Sequence, residues 1–402
     1  MNIKSFSLLL ATTTLVSGSL APLTQAATTS ILNEPTVLTS PAPVLAQASQ
    51  NIMRKGDSGS QAGTVSEIAT AYDYGKNRVV TAVRTAENRL KLISWRVNNN
   101  GSVTRTGDSG NQAGVTSRID LAPGLVSASR TTDGKLKLIS WEINNDGDIV
   151  RRGDSGNQAG NASIIKIMQI YAGVYVTAVR TTSGDLKLIT WRLNDNGSLT
   201  RLRDSGNAAG AVTEIAMSGL SYQGRRHVVT AVRASQGNLK LIVWRVDPNG
   251  TIIRRGDSGN QAGSARMIRA ANSNGHIVTS VRTAEGNLKL ITWEPKLQGG
   301  QLNLSRVADS GNQAGGIGDN ALIQRPGGVT SAVKTREGTL KLISWRVSPS
   351  GAITRLGDSS TQAGTASLIN LNISPSTDNS PVVTSVRTAE NRLKLISWDD
   401  QF

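Results

Sequence analysis

Residues 84–114 read RTAENRLKLISWRVNNNGSVTRTGDSGNQAG, and variants of this stretch return along the whole chain. Trp95, Trp141, Trp191, Trp244, Trp293, Trp345 and Trp398 are the only tryptophans, and each closes a run of the type LKLISW. Asp57, Asp108, Asp154, Asp204, Asp257, Asp309 and Asp358 each sit in a copy of GDSGxQAG. A unit of about 50 residues, present seven times, makes the chain a repeat protein.

In the first full unit, residues 64–71 (TVSEIATA) and 78–85 (RVVTAVRT) are short, rich in Val and Thr and bounded by turn residues, so they read as strands a and b. Leu90–Val97 reads as strand c and Ser102–Asp108 as strand d. No segment sustains a 3.6-residue pattern, and the domain is therefore all-β. The third residue of the turn between b and c is Asn88, Gly134, Gly184, Gly237, Gly286, Gly338 or Asn391. Glycine and asparagine tolerate positive φ best, so one turn geometry is expected in every copy. Between c and d come NNNG, NNDG, NDNG, DPNG and SPSG. These are read as hairpin turns, since they lack the ligand run and closing glutamate of a calcium-binding EF-hand loop.

Four strands in each of seven units is the arithmetic of a seven-bladed β-propeller. A solenoid is the competitor, and the ends of the repeats decide between them. The last copy stops after strand c, at LKLISWDDQF, whereas the first residues of the domain, NIMRKGDSGSQAG, are a strand d with no a, b or c before it. Joining them completes a blade and closes the ring, where a solenoid would need polar caps. The expected register sets Lys91 opposite Asp108 and Ser94 opposite Arg105. It repeats across the closure as Lys394 with Asp57 and Ser397 with Arg54. It also survives the longer EPKLQGGQLN turn after Trp293.

Ahead of the repeats, residues 1–26 have a lysine, an apolar run and small residues before Ala26, the build of a secretory signal; a second cleavage site is Ala46 to Ala48. Residues 27–50 are rich in Ala, Thr, Ser and Pro and read as a linker, leaving 51–402 as the propeller. The expected location is secreted, periplasmic or cell-surface, with no transmembrane span after signal cleavage. With no cysteine there is no disulfide or thiolate metal site, and with only His227 and His276 a histidine metal site has no basis. No cofactor and no metal are expected. The net charge of +16 fits either a partner of negative charge or a solvated basic surface.

Each strand-c tryptophan is expected to wedge between blades, stabilising by roughly 2–3 kcal/mol through buried indole area, with a sugar-stacking platform as the functional alternative. A cationic row is expected across strands b, c and d beside the b-to-c turn. It comprises Arg84, Lys91 and Asp108; Arg130, Lys137 and Asp154; Arg180, Lys187 and Asp204; Arg233, Lys240 and Asp257; Arg282, Lys289 and Asp309; Lys334, Lys341 and Asp358; and Arg387, Lys394 and Asp57. Each aspartate can bridge its lysine and cap the d-to-a loop as an Asx turn. The surplus cations can form equivalent anion sites. GDSG also resembles the stretch around the nucleophile of chymotrypsin-like proteases, but a protease needs one serine served by one histidine and carboxylate, and here the motif recurs in every blade. The opposite face carries unlike a-to-b loops, with all five tyrosines (Tyr72, Tyr74, Tyr171, Tyr175, Tyr222), both histidines and the cluster Arg225, Arg226, His227. Exposed tyrosines beside arginines would mark a recognition surface.

Over nearly all of residues 51–402 the chain resembles the seven-bladed β-propeller superfamily. Its strand-c tryptophan resembles that of WD-repeat blades, without their Gly-His pair and with a Trp-Asp ending only at Trp398 and Asp399. The plan of one cassette per blade is similar to propeller lectins of bacteria and fungi, and the resemblance implies like sugar sites on successive blades. The leading expectation is a monomeric, non-enzymatic binding protein for glycans or an anionic surface polymer, with no specific nucleic-acid partner. The second is a structural or protein-interaction propeller using the Tyr/Arg loops. The third is a propeller hydrolase or lyase, for which Glu67 and Glu214 in strand a are the candidate acid/base residues.

Overall fold

The structure, a computed structural model, describes residues 52–373 and 381–400. The signal and linker segments, residues 1–26 and 27–50, lie outside the described residues. The described chain has no helix and folds into seven four-stranded antiparallel sheets. In the first blade strands a (Val65–Asp73), b (Arg78–Thr85), c (Leu90–Val97) and d (Val103–Asp108) pair in that order. The seventh takes a (Ile369–Ile373), b (Val382–Arg387) and c (Leu393–Asp400) from one end of the chain and d (Ile52–Asp57) from the other. The ring is therefore closed as the sequence pattern requires. Strand a of each blade packs on strand a of the next, including the first on the seventh, so these seven strands surround the axis.

The core lies between blades. Trp95 packs with Val383, Leu393 and Leu395 of the seventh blade, and Trp398 with Ala332, Leu340 and Leu342 of the sixth. Six tryptophans are fully buried and Trp141 is nearly so. Each indole N–H whose partner sits in strand b is satisfied: Trp95 Nε1 donates to Thr81 Oγ1 at 2.9 Å, and Trp141, Trp191, Trp244, Trp293, Trp345 and Trp398 do likewise to Ser127, Thr177, Thr230, Thr279, Ser331 and Thr384. Buried and hydrogen-bonded, these rings are core wedges and offer no platform to a sugar.

The b-to-c turns agree with expectation, with φ between 59° and 92° at Asn88, Gly134, Gly184, Gly237, Gly286, Gly338 and Asn391. The c-to-d register does not. Val97 faces Val103 instead of Ser102 and Trp95 faces Arg105, a shift of one residue set at the turn; Thr106 then bulges from strand d and adds a second, so that Ile93 rather than Lys91 faces Asp108. The bulge falls where the next blade intrudes: Ser94 Oγ donates to Gly147 O at 2.5 Å, and a Cβ on Gly107 would stand 2.4 Å from the same carbonyl. The seventh blade repeats the shift, with Ile396 facing Asp57 and Trp398 facing Arg54, so its equivalence to the others holds. Arg84 likewise faces Leu90 while Lys91 faces Val83, which takes the strand-b cation off the lysine row.

Two kinds of hydrogen-bonded link recur between blades. Besides Ser94, the hydroxyls of Ser140, Thr190, Thr292 and Ser397 donate to carbonyls of Gly197, Gly250, Gly351 and Gly101 in the following c-to-d turn. Gly101 must be glycine on two counts: its φ is +84°, and a Cβ there would lie 2.2 Å from Lys55 Cβ. The glutamine of GDSGxQAG makes the second link. Gln112 Oε1 accepts the Arg151 amide at 2.8 Å and its Nε2 donates to Ile149 O at 3.0 Å, both in strand d of the following blade.

Candidate anion-binding surfaces

The repeated cassette builds a charged cluster near the ring's outer strands. Asp108 Oδ1 accepts the Gly110 amide at 2.6 Å, the Asx cap expected of it, and lies 3.4 Å from Lys91 Nζ. Its other oxygen is bonded by Arg105, three residues earlier on strand d. Arg54, Arg151, Arg201, Arg254, Arg306 and Arg355 repeat this pairing. Lys137, Lys240, Lys341 and Lys394 repeat the lysine contact at 3.1–3.7 Å. Burial pushes the Asp57, Asp154, Asp257 and Asp309 carboxyls up, but the capping amide, the lysine and the arginine together hold each below the usual carboxylate range.

The strand-d arginines were not among the sequence candidates. Their signal was present, an arginine three residues before every cassette aspartate. In an unbulged strand residues three apart point to opposite faces, and that hides the pairing. Strand-b cations serve the joints. Arg130 Nε donates to Ala162 O and Arg180 Nε to Val212 O, each at 2.7 Å and each in the next blade, while Arg84 bonds Asn88 and Arg387 bonds Ser367. Arg233 bonds Thr213 across its own blade.

The cassette serines are structural. Ser109 and Ser155 are buried, and Ser109 Oγ accepts the Leu92 amide at 3.0 Å while its own amide donates to Leu92 O. A buried hydroxyl committed to the neighbouring strand is no hydrolytic nucleophile.

The opposite face corrects the expectation of exposed aromatics. Tyr72 and Tyr175 are buried, as are His227 and His276, and only Tyr74 is widely exposed, at 71%. Arg226 stacks over the Tyr171 ring at 5.5 Å and donates to Ile170 O, which turns it toward the third blade. Tyr222, Arg225 and His227 remain together in a cleft of about 290 Å³ and are joined there by Arg245, Arg255 and Leu297.

On the axis a cavity of about 360 Å³ is lined from all seven strands a, with Glu67, Asp120, Lys166, Arg269 and Asp319 as its charged residues. The carboxylates are inter-blade fasteners. Asp120 accepts the Ile167 amide, Asp319 the Ile369 amide and Glu214 the Ile268 amide, each from the following blade. Glu67 takes the Ile119 amide in the same way, and burial raises its carboxyl above the usual range, as it does for Asp319. Of the two candidate acids only Glu67 lines this cavity, 4.0 Å from Arg84 Nε.

Fold and surfaces together define a seven-bladed β-propeller with a repeated basic cassette on one side and unlike loops on the other. The sequence matches no protein-family model and no curated protein.

Proposed function

We propose that the protein is an exported, non-enzymatic binding propeller that holds a glycan or another anionic surface polymer through repeated, individually weak cationic sites. One observation carries the reading. Each cassette sets two cations, the lysine of strand c and the arginine of strand d, against a single aspartate; over seven cassettes the surplus is +7, nearly half of the chain's +16. The positive charge is thus concentrated in a pattern that a long anionic chain can follow from blade to blade. Linked weak sites of this kind gain about 10²–10⁴ in apparent affinity over one site. Burial of the tryptophans leaves charge and hydrogen bonding, not aromatic stacking, as the means of recognition.

Binding to immobilised dextran sulfate tests this. Affinity is expected to fall as salt rises. Replacing Lys137, Lys187 and Lys240 together by Gln is expected to weaken it at least about tenfold through lost avidity, and the polymer should be recovered at its original length. Equal binding to uncharged dextran, or no effect of the triple replacement in a folded variant, would overturn the proposal. A second reading, a protein partner on the varied loops, is favoured by the exposed Tyr74 packed edge-on against Tyr72. Such a partner would bind at one site per chain and lose affinity on Tyr74→Ala.

A further inference from the structure

Two hairpins depart from the repeat, and they meet. Strands a and b of the fourth blade, Val212–Tyr222 and Arg225–Ala234, run past their counterparts to a tight Gln223-Gly224 turn, with φ of 48° and 70°. Strands c and d of the fifth, Leu288–Gln298 and Gln301–Asp309, are extended in the same way to Gly299-Gly300. Between them lies the cleft of about 290 Å³, lined by Tyr222, Gln223, Arg225, His227, Arg245, Arg255, Leu297 and Leu302.

Its chemistry is that of an oxyanion receptor. Arg225 is exposed, and its guanidinium makes no hydrogen bond or ion pair among the described residues. Arg255 uses one nitrogen on Gly300 O at 2.9 Å, and Arg245 is paired with Asp247 at 3.1 Å. Three guanidiniums against one carboxylate leave two positive charges. His227, 4% exposed, sits among them with Nδ1 3.1 Å from Arg225 O. A carbonyl only accepts, so Nδ1 carries the proton and Nε2 keeps its lone pair. Burial, and then Arg255, Arg245 and Arg225, lower the His227 pKa and keep the imidazole neutral. Leu297, 49% exposed, and Tyr222 supply an apolar wall.

We propose that this cleft is a single binding site for a sulfate or phosphate ester carried on a sugar-sized body. Guanidinium forks arriving from strands b, c and d suit the several oxygens of a tetrahedral oxyanion, while the apolar wall receives the carrier. The site stands apart from the repeated cassettes, on the other face, and does not depend on them.

Calorimetric titration with glucose 6-sulfate and glucose 6-phosphate, with glucose as the uncharged control, tests it. One site per chain is expected, with binding at least about tenfold weaker in Arg225→Glu, since one charge-assisted pair contributes a tenfold or larger factor. Arg152→Gln, at an exposed arginine of the second blade, should leave it unchanged. Because the chain has only two histidines, proton NMR reads the site directly: ligand should move the His227 titration upward and leave the ring-proton shifts of His276, which is outside the cleft, in place. Phosphate binding that tightens as the ester loses its second proton, against pH-independent sulfate binding, identifies phosphate as the cognate ester; equal or better sulfate binding identifies sulfate. Saturation at several sites, glucose binding as tightly as its esters, or an Arg225→Glu variant that melts normally and binds unchanged would overturn the proposal.

Discussion

Ser344 Oγ donates to Asp400 Oδ1 at 2.5 Å, in the place where Ser94, Ser140, Thr190, Thr292 and Ser397 each bond a glycine carbonyl of the next blade's c-to-d turn. In the seventh blade no such turn joins strands c and d, which come from opposite ends of the chain. A carboxylate does the work of the missing carbonyl. Thr330 also donates to Asp400, and Arg325, 4% exposed, donates to its backbone oxygen while its Nε lies 3.8 Å from Oδ2. Asp400→Ala is expected to lower stability by about 3–5 kcal/mol, because it removes the carboxylate of a buried ion pair and the acceptor of two hydroxyls. Asp400→Asn keeps one oxygen acceptor and puts an amide N–H₂, which a hydroxyl oxygen can accept from, in place of the other, so it should lose less. Denaturant unfolding of the two variants measures the difference.

The fourth blade contains a natural test of the glutamine joint. Its preceding loop reads RDSGNAAG, with Ala208 in the position of the glutamine, and of the bonds across this joint the bond from Arg254 to Ala208 O at 2.9 Å is kept. Ala208→Gln restores an acceptor for the Arg254 amide and a donor for Ile252 O. A gain of about 1 kcal/mol is expected, read as an upward shift in melting temperature.

Trp95→Ala should destabilise by about 3–5 kcal/mol, combining lost transfer energy with an unfilled inter-blade cavity. It also leaves Thr81 without its indole donor. Dextran sulfate binding by the folded fraction should be unchanged, which separates core packing from recognition.

Acid acts in two opposed ways. Glu67 and Asp319 have carboxyls raised by burial, so the folded state takes up their protons first. Stability therefore increases as pH falls from neutral through those raised values toward the ordinary ones. Asp57, Asp154, Asp257 and Asp309 are depressed, so their contribution is complete above the unfolded value and disappears as pH falls through the folded one. Melting temperature should pass through a maximum on the weakly acidic side of neutrality and then drop below about pH 4. Glu67→Gln should flatten the rise and leave the acid drop in place.

Most of the ring was legible because its determinants are local. Asn88 and Gly134 announce a positive-φ turn through their own backbone freedom, and two partial copies at the ends of the repeats announce their own joining. Both rest on chain geometry that any seven copies must share. The register across strands c and d was not local. Thr106 bulges where Gly147 of the next blade lies against strand d, and no pattern within one blade records that contact. The same slip concealed Arg105 as the partner of Asp108, although the arginine recurs at every cassette.

By itself, then, the sequence determined the period, the turns, the closure and the concentration of charge, since each follows from residue type at a fixed spacing. Tertiary structure alone decided that Tyr72, His227 and His276 are buried and that Arg226 turns away to Tyr171. It also brought Arg225, Arg245 and Arg255 to face Leu297. Those outcomes depend on how far two hairpins extend and how closely neighbouring blades pack, distances that arise only once the ring has formed.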